Sequence, residues 1–408
     1  MTYTTDTITE IFSDEYTLDL WAAIECAALR AQTQIGQVPE QWWRDAAQAG
    51  VPHVDQWRTE TALSGHEFVA FLMLWGENGA RNVHIGLTSS DITDTALGVR
   101  INDSTTVLCD AFLELEDMVR ALDVETGVCP RLGRTHGQAA VATTYGSLFE
   151  RWLAALRDTQ QELRYTGTAA SLGKISGPIG TYQHVDPYVE MYVCQQFGLT
   201  PARPASQIVP RHYLAQFVAT LGVAATVIES IALELRLLSH AHVGEVTDTA
   251  GSTSSAMPHK TNPNRLERLT GLARIARSAY DPITQGIVQW HERDMAHSSV
   301  ERTLLPQTVG IVHYMATSLH AILSETRFNN TAAVMNLGWF ETEVQTHSMQ
   351  THLQLKGYSY GDAKAEVSRL LHENIGVGAL RLALHAHQDL SDYRTPDTTR
   401  KETIDGIL

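Results

Sequence analysis

Residues 211–240 read RHYLAQFVATLGVAATVIESIALELRLLSH, thirty residues without a proline. Leu214, Phe217, Leu221, Ile228, Ile231, Leu235 and Leu238 recur at helical spacing and mark one face. At 1.5 Å per residue such a helix spans about 45 Å. A rod of that length buries its apolar face only against neighbours of equal length. Five further stretches with few breakers, 101–122, 138–170, 264–280, 299–326 and 331–355, supply them, and Pro282 is expected to kink or divide one of these helices. No stretch sustains the alternation and Asn-Gly turns of a sheet. The expected architecture is all-α, with a central bundle of long helices. Apolar faces this long are often completed by other subunits, so a homo-oligomer is expected.

With 408 residues the chain is long for one core and suggests two or three domains; 43% hydrophobic and 19% charged residues are ordinary for a globular protein. The net charge of −16 argues against a nucleic-acid partner, because phosphate backbones need a cationic surface. An anionic ligand must instead be met by a few local cations. The start MTYTTDTITEIFSDEY lacks a basic region followed by an apolar core, and no run of eighteen apolar residues occurs, so a cytoplasmic enzyme without membrane contact is expected. Cys26, Cys109, Cys129 and Cys194 form no CxxC pair and read as reduced, mostly buried thiols. The 18 histidines include no HExxH or equivalent spacing, so neither a metal nor an organic cofactor is expected.

Polar clusters fall between the helical stretches. Residues 15–33 form an apolar-periodic helix ended by Val38-Pro39, and a short polar helix follows around Trp42 to Ala49. His66 opens another helix, SGHEFVAFLMLWGENG, whose stripe is Phe68, Phe71, Leu72 and Trp75. In HIGLTSSDITDTALGVRI, Thr88, Ser89 and Ser90 lead into Asp91 as a helix N-terminus, where free N–H groups and the dipole favour an anion. Arg134-Thr135-His136-Gly137-Gln138 precedes one long helix. GKISGPIGTY (173–182), Ser206-Gln207 and Pro210-Arg211-His212 precede the next. GSTSSAMPHKTNPNRLE (251–267) must be a loop that runs into a helix near Asn264, because Gly251, Pro258 and Pro263 forbid a continuous one. Trp290 to Asp294, His297 to Ser299 and Arg302 complete the set. Clusters at helix ends converge where the ends of a bundle meet.

The Met-Pro loop resembles the signature of the fumarase/aspartase superfamily. His259, between Pro258 and Lys260, makes it similar to the adenylosuccinate lyase branch, as do HIGLTSSDITDTAL, RTHGQ, GKISGPIGTY, SQIVPR and WHERDMAHSSVER in the same order. The resemblance covers at least three quarters of the chain. It implies a three-domain fold: an N-terminal helical domain over 1–96, the long-helix bundle with its mobile signature loop over 97–337, and a short C-terminal helical domain over 338–408. It also implies a homotetramer with active sites shared between chains. The implied reaction is a β-elimination releasing fumarate from an N-succinyl substrate. Adenylosuccinate, giving AMP, is the first expectation, with the related succinyl-aminoimidazole carboxamide ribotide of purine biosynthesis beside it.

By position, Ser255 is the implied base that takes the proton beside a carboxylate, and His136 the acid that protonates the departing nitrogen. Lys260 stabilises the serine alkoxide, and Glu267, from a neighbouring subunit, orients His136. Removing a proton next to a carboxylate builds a doubly charged aci-carboxylate, which needs cations and donors already in place. Lys260, Asn262, Thr88 and Ser89 are the implied grip, with Thr135 and Ser254 beside the acid and the base. His66 and Gln207 match positions near the leaving nitrogen. Arg293, Ser298, Arg302 and Tyr3 match those that hold a phosphate, for which guanidinium forks are suited. Several positions depart from the family pattern. Thr2 and Thr261 replace arginines, Thr253 replaces the glycine before the double serine, Glu67 replaces an aspartate after His66, and His212 replaces an aspartate after Arg211. These departures keep open a relative recruited to another N-succinyl or nitrogen-substituted succinate. A third reading, a non-catalytic structural subunit, is opposed by the retained Ser255, His136, Lys260 and Glu267.

Overall fold

The computed structural model describes residues 2–248, 252–253 and 256–372. Ser254, Ser255 and residues 373–408, about half of the expected C-terminal domain, lie outside them. The helices begin with α1 Asp6–Ile11, α2 Asp14–Gln34, α3 Glu40–Gln48, α4 Val54–Ser64 and α5 Glu67–Glu77. Then come the long elements α6 Ser89–Thr126, α7 Tyr145–Ala170 and α9 His212–Leu238, with α8 Pro187–Gln196 between the last two. They are followed by α10 Asn264–Ser278, α11 Tyr280–Gln285, α12 Ala296–Glu325, α13 Asn330–Trp339, α14 Thr346–Leu355 and α15 Tyr360–His372. The described strands form four two-stranded pairs: β1 Pro130–Thr135 with β2 Gln138–Thr144, β3 Leu172–Gly173 with β4 Thr200–Pro201, β5 Val246–Asp248 with β8 Thr326–Phe328, and β6 Ser252–Thr253 with β7 Thr261–Asn262. The chain divides into two compact units of discontinuous stretches, Met1–Leu115 with Ala155–Ala232 and Leu266–Ala321, and Glu116–Ala154 with Leu233–Arg265 and Ile322–Leu408.

All seven stripe residues of α9 are buried, none more than 4% exposed. By length and composition α9 could cross a membrane; its buried stripe is that of a core helix. Pro282 falls within α11, and the helix is interrupted at Ala279, between Ser278 and Tyr280, just before it. Two stretches expected as single helices are not. Residues 138–144, QAAVATT, form a strand, β2 Gln138–Thr144, antiparallel to β1 Pro130–Thr135. Its β-branched residues suit a pleated ladder, and the turn before it folds the chain back. The stretch 331–355 is divided after Trp339, just past the helix-weakening Gly338, into α13, a short 3₁₀ turn and α14.

The first unit packs α2, α4 and α5 around an aromatic cluster. Trp21 meets Phe68, Phe71 and Trp57 edge-on at ring-centroid distances of 5.1, 5.6 and 6.0 Å. Its most constrained polar element is the start of α6. The Asp91 carboxylate accepts from the Thr88 amide at 2.8 Å, from Lys174 Nζ at 2.5 Å and from the Ser176 amide at 3.0 Å. Lys174 Nζ also donates to the Gly177 carbonyl at 2.9 Å, and neither charged side chain is exposed to solvent. One carboxylate thereby ties GKISG to LTSSD. Nearby, buried Glu25 of α2 takes His84 Nδ1 at 2.6 Å and the His84 amide at 3.0 Å, holding that residue at φ +61°.

The N-terminal segment lies along α12. Thr5 Oγ1 and His313 Nδ1 are hydrogen-bonded at 2.8 Å, and Tyr3 packs on Tyr314 at 5.5 Å between centroids. In the second unit Phe328, on β8 Thr326–Phe328, packs edge-on to Tyr145 and Phe149. This strand pairs with β5 Val246–Asp248.

Asp91→Asn leaves Lys174 as an uncompensated buried charge and should cost about 3–5 kcal/mol in denaturant unfolding, whereas the Asp91→Asn/Lys174→Met double variant, which removes that charge and keeps an oxygen for the amides, should recover much of that loss. Burial pushes the His313 imidazole below its ordinary value, against a weaker opposing pull from Glu114. Because the folded value is the lower one, the neutral ring contributes stability above the unfolded pKa of about 6.5, and this is lost as pH falls from there through the folded value. Melting temperatures from pH 7.5 to 5 should therefore fall more steeply for the native protein than for His313→Gln.

Candidate active site

In the first unit, the residue that follows Thr88 and Ser89 joins the cluster the sequence placed near 290. Arg293 donates from one guanidinium nitrogen to Ser90 Oγ and to Gln207 Oε1, both at 2.9 Å. Gln207, Trp290, Arg293, Asp294 and Met295 are among the residues lining a cleft of about 490 Å³. Beneath it Arg211 places a fork on Asp94 at 2.7 and 2.9 Å and reaches Glu301 at 2.9 Å, with all three side chains buried. Asp94 also accepts the Val209 amide at 2.8 Å, so the segment that presents Gln207 is fastened to α6 and α12. Burial pushes the Asp94 carboxyl up, but Arg211 outweighs it and holds the group below the ordinary carboxylate value. For Arg293, burial lowers proton affinity and outweighs the opposing pull of Asp94, while Arg211 and Arg302 lower it further.

The start of α12 carries the other anion candidates. Asp294 caps it by accepting the Ala296 amide at 2.6 Å. Ser298 and Arg302 follow one turn apart on the same face. Arg302 is mostly exposed, and its fork rests on both oxygens of Glu67. His66 is the N-cap of α5, its Nδ1 accepting the Val69 amide at 3.4 Å. Tyr3 is not brought to this cluster within the chain. Its partner Tyr314 lies about 18 Å beyond Arg302 along α12. Glu267 stands exposed in the first turn of α10.

The second unit holds the remaining candidates. Thr135 and His136 are exposed at the tip of the β1–β2 hairpin, whose two turn residues His136 and Gly137 have φ of +54° and +74°. Two consecutive positive φ values are the requirement of a type I′ turn, and they push the imidazole out of the ladder. Glu245, fully buried, fixes this hairpin. It accepts hydrogen bonds from Arg134 at 2.7 Å and the Asn336 amide at 2.9 Å and lies within ion-pair distance of Arg131, at 3.5 Å. Downstream, β6 Ser252–Thr253 pairs antiparallel with β7 Thr261–Asn262, so the expected loop contains a short ladder in which Thr253 and Thr261 are Cα partners. Lys260 is exposed just before β7, its amide bonded to the Met257 carbonyl at 2.9 Å, and Asn262 is half-buried. The helix expected near Asn264 begins there.

Sequence reading missed three contributors, Ser90, Glu67 and Glu245. Tertiary contact gives them their parts, although Ser90 stood in the quoted block and Glu67 among the departures from the family pattern. Among the described residues no group of three His, Cys, Asp or Glu side chains is placed to hold a metal ion. Glu245→Ala should strand the Arg134 charge, while Arg131 keeps Glu234 at 3.3 Å, and cost about 3 kcal/mol of stability. Thermal unfolding measures that loss, and the amide signals of Thr135 to Gln138 should shift in NMR spectra.

A family model described as Lyase matches residues 2–277. The chain is 35% identical over 320 residues to an adenylosuccinate lyase of Synechocystis sp., covering 77% of this chain and 74% of that protein. It is 32% identical over 374 residues to an adenylosuccinate lyase of Thermotoga maritima, covering 90% and 86%. Among solved structures, a fumarate lyase from Mesorhizobium sp. BNC1 superposes with a TM-score of 0.82 at 20% identity, over 93% of this chain and 90% of that one. That likeness establishes the helical fumarase-like fold. The two sequence relatives and the family match go further: the chain belongs to the adenylosuccinate lyase branch of the fumarase/aspartase lyase superfamily.

Proposed function

We propose that this chain is a carbon–nitrogen lyase that releases fumarate from adenylosuccinate by β-elimination, leaving AMP. The observation that carries the reading is the Arg293–Gln207–Ser90 cluster beside Ser298 and Arg302, found in a chain 31–35% identical to adenylosuccinate lyases over about three quarters of its length. A phosphorylated succinyl compound is polyanionic. It needs a few local cations in a protein whose net charge is −16.

In this reading Ser255 removes the proton next to the succinyl carboxylate, with Lys260 lowering the cost of its alkoxide. Lys260, Asn262, Thr88 and Ser89 meet the charge that develops on the aci-carboxylate, with Ser254 and Thr135 alongside. His136 then protonates the leaving nitrogen. An exposed imidazole at the tip of an anchored hairpin is free to meet a substrate there. Glu267 of a neighbouring chain orients His136, and a homotetramer with shared sites follows from that pairing; a cytoplasmic enzyme divided at 96 and 337 completes the proposal. His66 and Gln207 contact the centre of the substrate, and Arg293, Ser298 and Arg302 its phosphate. Tyr3, far from Arg302 in its own chain, joins a phosphate site only if another subunit brings it there.

A second reading, a differently substituted N-succinyl amine, draws on Thr2 and Thr261 where the branch carries arginines and on the Arg302 fork already lying on Glu67.

Purified protein mixed with adenylosuccinate should produce fumarate and AMP in equal amounts, read by ultraviolet absorbance and chromatography. No turnover by a folded oligomer would move the assignment to the second reading. Ser255→Ala and His136→Ala should each lower kcat by roughly 10²–10⁴-fold with the fold intact. Arg302→Ala should mainly raise KM.

A further inference from the structure

Arg302 is the most accessible cation of the anion seat, its side chain 56% exposed, yet both terminal nitrogens are bonded to one carboxylate, that of Glu67 at the first position of α5. Two further guanidinium groups stand close by. Burial lowers the proton affinity of Arg100 and Arg293, and Arg302 lowers both further. The buried Nε atoms of Arg100 and Arg293 have no hydrogen-bond partner among the described residues. Asp14 and Glu67 favour the charge of Arg100, and Asp94 and Glu301 that of Arg293, but among the described residues the carboxylate bonded to this seat is that of Glu67, and two buried donors stay unmatched, an arrangement that an external anion can complete.

Building on the phosphate seat proposed above, we propose that Glu67 is its specificity-determining residue: its carboxylate is a built-in ligand of Arg302 that a phosphate monoester must displace in order to bind. The geometry fits this role. A carboxylate and a phosphate use the same two-pronged contact with a guanidinium, so they cannot both occupy the fork. A phosphate dianion that left Glu67 in place would be held beside a like charge, which is unfavourable. Displacement is available to Glu67 because the pair lies toward solvent, where ion pairs are weak, unlike the buried Arg211 pair beneath it. The consequence is a site with reduced preference for phosphorylated over unphosphorylated forms of one substrate. The side chain present at position 67 would tune that preference without touching the elimination chemistry.

The test compares native protein, Glu67→Gln and Glu67→Asp. Calorimetric titration with AMP and with adenosine reads the seat without any need for turnover. Glu67→Gln, which keeps the shape and removes the charge, should bind AMP roughly ten-fold or more tightly than the native protein, with adenosine unaffected. Glu67→Asp keeps the first-turn charge of α5 while withdrawing it by one methylene, and should give a smaller gain in the same direction. This second variant carries the test if the first fails to fold. The ratio of kcat/KM for adenylosuccinate over succinyladenosine should rise in parallel. Unchanged or weaker AMP binding in folded variants overturns the proposal, as does AMP binding to none of the three proteins. Absence of fumarate release from adenylosuccinate by the native protein would instead defeat the functional reading, while the AMP titrations would still decide the role of Glu67.

Discussion

The first unit depends on one buried carboxylate. Asp91 sits in the first turn of α6, where its negative charge complements the helix N-terminus, and it is also the counter-ion of a fully buried lysine. Lys174 would be prohibitively costly in that environment without it. Because the same oxygens accept amides from Thr88, Ser176 and Gly177, the pair fixes two backbone segments as well as two charges. Thr88, Ser89 and Ser90 are thereby presented at a rigid helix start, and Ser90 becomes a fixed acceptor for Arg293. Positioning of this kind suits chemistry that relies on donors already in place when charge develops.

A second layer of buried charge repeats the pattern. Arg211 is saturated by Asp94 and Glu301 and serves as a structural cross-link. Arg293, less buried, uses one terminal nitrogen on neutral oxygens and keeps its net charge available. The two arginines differ in their partners. Carboxylates on both sides of Arg211 neutralise it, whereas a hydroxyl and an amide oxygen orient Arg293 without cancelling it. In the second unit Glu245 plays the corresponding structural part, holding Arg131 and Arg134 so that the strained turn bearing His136 stays anchored.

The departures from the branch pattern acquire physical meaning in the structure. Thr253 and Thr261 are register partners of a short antiparallel ladder, and threonine favours that conformation where glycine would weaken it. Two changes that look independent along the chain act on one local element. The longer Glu67 likewise acquires its significance from Arg302, 235 residues away.

What the sequence determined by itself was periodicity and local chemistry. The apolar repeat of 211–240 foretold a buried helical stripe, the prolines around 258 and 263 foretold the helix start at Asn264, and six ordered motifs carried the family. These are readable because helical spacing, proline geometry and motif order are properties of adjacent residues. The tertiary structure alone decided which polar groups meet. No local signal joins Ser90 and Gln207 to Arg293, Glu67 to Arg302, or Glu245 to the hairpin of His136, since each pairing bridges positions 86 to 235 residues apart. It also decided that 138–144 is a strand. A ladder is stabilised by its partner strand, whereas a helix is stabilised by its own backbone, so only the folded chain could reveal it.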